Sequence, residues 1–163
     1  MTAVLAAVAL WFFVTPEYGE YPTGRMVDCE ITVGEKTVRR TCEETMVFDE
    51  KSVKAVVRDF YERRSNGETV NVDVDHRDGT SVGTVDKMVV SPKGQIAARI
   101  VLNDEGMKAY LDGKYSGMSP AFWSARPYLG DKGRPRSITS VAVTNRPWIK
   151  TLKFRHIRVD TVP

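Results

Sequence analysis

The sequence predicts a mainly β protein of the α+β class, with about seven strands in an antiparallel, barrel-like sheet and flanking helices. Three observations predict this fold. Short β-branched or alternating segments recur along the chain and are separated by turn residues. Only two segments space their apolar residues as a helix does, and they show no βαβ rhythm. A length of 163 residues with 42% apolar residues suits one domain with a substantial core.

We expect a single domain over residues 1–163, with residues 1–10 and 151–163 able to lie at its periphery. The early apolar run TAVLAAVALWFFV lacks a basic leading segment and is shorter than the ~20 residues of a membrane helix. This run therefore predicts a buried first strand and no membrane association, and a signal peptide is the alternative.

A loop and a hairpin are predicted next. Residues 14–25 are rich in Pro, Gly and Tyr, which is typical of a loop. The segments MVDCEITV and TVRRTCEETMVF flank a Gly-Glu-Lys turn, so they favour a hairpin. Their two cysteines, Cys29 and Cys42, fit no metal spacing. Two free thiols in a reducing cytosol are the default expectation, and one disulfide is the alternative.

The remaining elements follow from changes in periodicity. Residues 50–64 form the clearest helix, with an apolar stripe that starts at Val53, an N-cap candidate at Asp49 and a stop at Asn66-Gly67. Alternating or β-branched segments predict strands at residues 70–75, 81–90, 94–102, 116–128 and 137–145, with Pro120 interrupting the fourth. A short helix is predicted at 103–113, capped by Asn103 or Asp104, with Met107, Tyr110 and Leu111 on its apolar side.

Two of these strands carry residues suited to nucleophilic catalysis. His76 follows an alternating strand and precedes turn residues, so its imidazole can take a proton near neutral pH at the edge of the sheet. Ser119 stands in an apolar strand, where it is either a structural hydroxyl or a presented nucleophile. Neither segment contains a G-x-S-x-G elbow.

Neighbouring residues restrict how such a site could work. Pro120 removes the backbone N–H after Ser119, so an oxyanion would need another amide or an arginine. Asp73 and Asp75 would point away from His76 in a regular strand, which makes them poor orienting groups. Asn145, at the end of the last strand, is the better candidate for the third member of a triad.

Three segments together resemble the prohead proteases of tailed bacteriophages, in particular the Mu-like phage I proteins. They are DVDHRDGTSVGTV, GKYSGMSPAFW and ITSVAVTNRPWI, in this order and with these gaps. The early FFVTPEYGEYPTGR also looks like the start of that family, so the likeness covers about residues 10–150. The matching positions are Asp75, His76, Gly83, Tyr115, Ser119, Pro120, Phe122, Thr144, Asn145 and Pro147.

The resemblance implies a serine endopeptidase with His76 as base and Ser119 as nucleophile, on a fold like that of herpesvirus assemblin. An arginine helps to build the oxyanion site in that group, which makes Arg146 and Arg136 the candidates here. The expected substrates are phage scaffold and capsid-protein segments, including the major capsid protein, and the chain itself. The expected place of action is the assembling procapsid in the host cytoplasm, where the protein could form a homo-oligomer.

Two other functions stay open. The chain could be an inactive, protease-like protein of head assembly, because the third catalytic member is weakly indicated. It could instead be a small barrel that binds nucleic acid through its late basic residues, although a net charge of +3 makes this partner unlikely. We predict no cofactor and no metal site, because the only two histidines, His76 and His156, accompany no metal-binding motif.

Overall fold

A computed structural model describes residues 8–158 as eight strands and two helices. The strands are β1 Val8–Phe13, β2 Gly19–Val33, β3 Lys36–Phe48, β4 Val70–Val74, β5 Gly83–Val90, β6 Ile96–Leu102, β7 Gly117–Ala125 and β8 Lys132–Thr144. The helices are α1 Glu50–Ser65 and α2 Asp104–Leu111. The predicted mainly β fold is confirmed, with one strand more than the expected number.

The strands form one sheet in the order β1-β6-β5-β4-β8-β3-β2, and β7 pairs with β8 beside this path. The expectation of an antiparallel sheet is wrong, because β8 runs parallel to both β4 and β3. A long crossover separates β4 from β8, and such a connection allows a strand to enter in the parallel direction. Within residues 8–158 the end strands β1 and β2 do not pair, so the sheet is not closed.

Alternate side chains of the central strands form the middle of the hydrophobic core. Val72 and Val74 of β4, Val141 and Val143 of β8, and Met118 of β7 are all buried. The same core continues into larger side chains of other elements, including Phe12, Phe48, Phe60, Met88, Ile96, Ile100, Ile138 and Leu152. One continuous apolar cluster therefore joins both ends of the sheet.

The predicted first strand is found as β1, which pairs with β6. Phe12 is fully buried, whereas Val8, four positions earlier on the same face, is 40% exposed, so burial increases towards the end of the strand. The part of the prediction that falls on residues 1–7 lies outside the described residues.

The predicted hairpin is confirmed as β2 and β3, which pair from Gly19 to the turn at Gly34. Residues 19–25, predicted as loop, belong to β2, and a bulge between Pro22 and Met26 accommodates them. The default expectation of free thiols is wrong, because Cys29 and Cys42 form a disulfide with Cα atoms 5.9 Å apart. Cys42 faces Val27 across the hairpin, which makes the two cysteines diagonal neighbours on one face, within bonding reach.

Both helices are confirmed, with their predicted caps. Asp49 and Ser52 form a reciprocal capping box at the start of α1. The Asn103 side chain accepts a hydrogen bond from Gly106 at the start of α2. The predicted apolar side of α2 is partly wrong: Leu111 is 71% exposed, whereas Gly106 lies against the Val82 carbonyl, where no side chain fits. Within the described chain, neither helix is long and apolar enough to cross a membrane.

Pro120 does not interrupt β7, contrary to the prediction. At Pro120 the strand pairs only with β8 among the described strands, and an unpaired outer edge tolerates proline. The segment after β8, expected at the periphery, returns to the sheet: Lys153 pairs with Gly117 and Ile157 pairs with Trp11. Leu152 is buried in the core, so residues up to 158 pack with the domain.

Candidate active site

The candidate site lies where β4, β8 and β7 run side by side. Asp73 of β4 is opposite Ala142 of β8, and Ala142 is opposite Ser119 of β7. Residues directly opposite one another in a sheet project from the same face. Asp73 and Ser119 therefore share a face, and only the methyl group of Ala142 stands between them.

Ser119 is 6% exposed, yet its hydroxyl makes no hydrogen bond with any described residue. A buried hydroxyl with a structural role normally has a hydrogen-bond partner, so Ser119 does not fit the interpretation as a structural hydroxyl. Its neighbours on the same face are small: Gly117 and Ala121 along β7, and Ala142 across the ladder. The surroundings thus leave the oxygen unengaged.

His76 lies in a tight turn immediately after β4. The Arg77 N–H donates to the Val74 carbonyl at 3.0 Å, and Asp75 and His76 have φ values of 53° and 56°. Two left-handed central residues define a type I′ turn, which non-glycine residues seldom adopt. The turn exposes His76 at the edge of a cavity of about 610 Å³, lined also by Asp75, Thr144, Asn145 and Arg146.

Asp73 is the residue that the sequence reasoning set aside. Its Oδ1 is buried and has no hydrogen-bond partner among the described residues. Burial raises the pKa of Asp73, and the charge and backbone N–H of His76 offset part of that rise. Asp73 was judged a poor orienting group on the assumption that the strand stays regular as far as His76. The left-handed turn instead brings His76 back towards Asp73. An aspartate three positions before a histidine, with the histidine in the turn that follows the strand, is the sequence signal that could have identified Asp73.

Asn145 and Arg146 border the same cavity as His76, at the end of β8. The Asn145 side chain joins two segments: its Oδ1 accepts from the Ser116 N–H at 2.9 Å, and its Nδ2 donates to the Lys114 carbonyl at 3.2 Å. The Arg146 N–H donates to the Thr144 hydroxyl at 3.0 Å, and the Arg146 side chain is exposed. Asn145 therefore holds the loop before β7, and the Arg146 guanidinium is available to the cavity.

Ser119 does not line this cavity, but Thr144 does. Thr144 is opposite Gly117, which places it diagonally next to Ser119 on the same face. Arg136 lies elsewhere: it borders a different cavity, with Arg134 and Ala125. It is six positions from Ala142 along β8, about 20 Å at the usual rise of a strand. The structure thus brings together His76, Asn145 and Arg146, with Ser119 nearby, and separates Arg136 from them.

The outer edge of β7 is open beyond the site. The Met118 N–H donates to the Leu152 carbonyl, so the even-numbered residues of β7 turn their backbone groups away from β8. After Pro120, the outward groups of Phe122 and Ser124 meet no other strand in the described chain. A free backbone edge therefore begins directly beside Ser119.

The described residues contain no group of histidine, cysteine, aspartate or glutamate side chains arranged to hold a metal ion. The site offers the Ser119 hydroxyl, the His76 imidazole, the half-buried Asp73 carboxyl and the Arg146 guanidinium.

Comparison with protein families assigns the chain. A family model described as Mu-like prophage I protein, N-terminal domain, matches residues 31–154. The chain belongs to this family. All five predicted site residues lie inside the matched range, whereas the early FFVTPEYGEYPTGR segment lies before it. Comparisons with curated proteins and with solved structures find no match. The Mu-like resemblance is confirmed, and the protein is phage-related.

Proposed function

We propose that this phage protein is a serine endopeptidase that cleaves scaffold and capsid-protein segments, and itself, within the assembling procapsid. The observation that supports the proposal most is the shared face of Asp73, Ala142 and Ser119, with His76 in the turn at the end of β4. Membership of the Mu-like I protein family supports the phage context. An assemblin-like fold, implied by the resemblance, remains part of this proposal, with the sheet open within residues 8–158.

The reaction is acyl transfer. The Ser119 oxygen attacks a peptide carbonyl while the His76 imidazole takes the hydroxyl proton. The imidazolium then gives that proton to the leaving amine, and an ester to Ser119 forms. Water, deprotonated by the same imidazole, hydrolyses the ester and restores both groups.

Asp73 replaces Asn145 as the proposed orienting group. Its carboxylate lies in the electrostatic range of His76, and a negative charge there stabilises the imidazolium that forms during attack. Asn145 contributes by holding residues 114–116, and therefore the start of β7, in place.

The distance between the two flanking strands sets what must move. β4 and β7 are two strand spacings apart, which is roughly 10 Å between their backbones. The side chains of His76 and Ser119 must therefore extend across Ala142 to meet. Because His76 is exposed at the tip of a turn, rotation of its side chain can provide this reach.

The oxyanion would be stabilised by an arginine, because Pro120 offers no N–H after the nucleophile. Arg146 is the better candidate, since its side chain borders the His76 cavity and Arg136 is about 20 Å away along β8. An extended substrate would pair with the free edge of β7, which starts beside Ser119.

A fluorophosphonate probe tests the proposal directly. We expect stoichiometric labelling of Ser119, mapped by mass spectrometry, and loss of at least about a thousandfold in labelling rate for Ser119→Ala. Ser124→Ala is the matched control, because Ser124 is an exposed serine on the same strand. Co-expression with neighbouring capsid and scaffold proteins, followed by mapping of new termini, would identify the substrates.

An inactive, protease-like assembly protein is the second candidate. Ser119 is 6% exposed and does not line the His76 cavity, which favours it. Absence of labelling in a folded chain, together with unchanged head assembly by the Ser119→Ala variant, would select this alternative and end the peptidase proposal.

A further inference from the structure

A second cavity, also of about 610 Å³, lies at the far end of β7 from Ser119. We name it the basic cavity. Its lining contains four basic side chains and one acidic one, within the set Asp49, Lys51, Ser52, Ala55, Ala125, Arg126, Pro127, Arg134, Pro135 and Arg136. The candidate active site does not use any of these residues, so the cavity needs a separate explanation.

Two of the four cations are engaged by the fold. Arg134 Nε lies 3.0 Å from Asp49 Oδ2, and Arg126 Nε lies 3.6 Å from Glu44 Oε2. Arg126 also donates to the Gly130 carbonyl. These two arginines therefore hold the walls of the cavity and have little charge left to offer.

The other two cations are unpaired. Lys51 and Arg136 are exposed, and neither makes an ion pair or hydrogen bond with any residue in the described range 8–158. A bulge explains the position of Arg136: Trp123 is opposite Ser137, and Ser124 is opposite Pro135. Arg136 thus has no cross-strand partner, and a bulge of this kind redirects its side chain. The result is an excess of positive charge inside a concave surface.

The basic cavity continues the free edge of β7. Ala125, the last residue of that strand, lines the cavity, and Ser119 is six positions away, about 20 Å along the strand. A strand added to an edge keeps a one-to-one residue register with it. A polypeptide cut at Ser119 would therefore place its sixth residue from the cut near Lys51 and Arg136.

We infer that the basic cavity binds carboxylate side chains of the extended polypeptide that lies along β7. Substrates would thus carry acidic residues about six positions from the cleaved bond. The statement about substrates rests on the proposed peptidase function. Binding of an acidic peptide to the basic cavity can be measured without catalysis.

The test uses the full chain with Ser119→Ala, so that hydrolysis cannot contribute. A fluorescein-labelled oligoglutamate peptide and its oligoglutamine counterpart are titrated by fluorescence anisotropy. The variant is Lys51→Gln with Arg136→Gln. Its matched control is Arg58→Gln with Lys150→Gln, which removes the same charge from two exposed cations outside the cavity.

We expect oligoglutamate to bind more tightly than oligoglutamine, and the cavity variant to weaken it by roughly tenfold or more. The control variant should change the Kd by less than about twofold. Equal weakening by both variants, or equal binding of the two peptides, would overturn the inference. Tighter binding of an oligothymidylate of the same charge would also overturn it, in favour of nucleic acid. Fluorophosphonate labelling of Ser119 in the parent chain decides the peptidase proposal independently.

Discussion

The two ends of β7 are built in opposite ways. From Gly117 to Ala121 the strand pairs regularly with β8, its neighbours are small and uncharged, and residues 152–154 cover part of its outer edge. From Phe122 to Ala125 the ladder has two bulges, Trp123 is 73% exposed, and the nearby side chains are cationic.

This difference agrees with the two tasks that the proposals give to one strand. Regular pairing fixes side chains closely enough for a reaction, which requires small positional errors. Bulges turn charged side chains towards solvent, which suits recognition but not precise alignment. Under the two proposals, the first end serves the reaction and the second end serves binding, and the predictions below test whether the two ends behave independently.

After Ser119→Ala, the largest expected effect comes from Asp73→Asn at the Ser119 end. We expect probe labelling of Ser119 to slow by roughly a hundredfold or more, because the imidazolium loses its negative partner. Asp75→Asn is the control, since Asp75 is exposed in the same turn and its ion pair with Arg77, at 3.9 Å, is its single one within residues 8–158. Equal rates in the two variants would remove Asp73 from the mechanism.

The same variant also carries a pH signature. Burial raises the pKa of Asp73, so the folded chain binds that proton more tightly than the unfolded chain does. The contribution of this carboxyl to stability is therefore greatest below its unfolded pKa and is lost as pH rises through the folded value. Asp73→Asn should remove this pH-dependent loss of stability, because the amide does not titrate, and should raise the Tm at neutral pH. Thermal unfolding across acidic to neutral pH measures it, and a lower Tm at neutral pH would contradict the raised pKa.

An intermediate effect is expected from Gly117→Ala. An added Cβ would lie 2.7 Å from Pro147 Cγ and 2.9 Å from the Leu152 carbonyl, so the covering segment must shift. We expect a loss of about 1–3 kcal/mol in the free energy of unfolding, as for other overpacked sites. Gly133→Ala is the matched control at the other end, where the nearest atom is 3.8 Å away. Denaturant unfolding compares them, and equal losses would show that the covering segment is not tightly packed.

The smallest effect at the site is expected from reduction of the Cys29–Cys42 disulfide. This bond lies in the β2–β3 hairpin, and β3 meets β8 only near Lys132 and Gly133, at the Ala125 end. Reduction should speed hydrogen exchange in residues 26–43 and leave the labelling rate of Ser119 unchanged. A slower labelling rate after reduction would show that the two ends are coupled.

Local patterns in the sequence were sufficient to predict most elements. The hairpin, both helices with their caps, and the alternating strand β4 depend on neighbours within a few residues, and all were predicted correctly. The parallel pairing of β8 with β4 was not predicted, because it depends on a crossover through four intervening elements. The disulfide depended on hairpin register, which spacing alone does not fix.

The candidate site was predicted in part for the same reason. His76 and Asn145 follow strands that end at one edge, so the strand pattern placed them together, and the resemblance added Arg146 beside them. Arg136 was misplaced because its distance from Ser119 depends on the register and bulges of β8. Asp73 was rejected by a rule of strand alternation that stops applying at the left-handed turn.

That turn has an evolutionary consequence. Asn-Gly is the preferred pair at the centre of a type I′ turn, whereas this chain has Asp75 and His76 there, each in a conformation that costs about 1–3 kcal/mol. Selection for thermostability alone would replace the histidine with glycine among its first accepted changes. Laboratory evolution of more thermostable variants should therefore follow fluorophosphonate labelling of Ser119 in every round, because selection for stability alone would enrich variants without the proposed base.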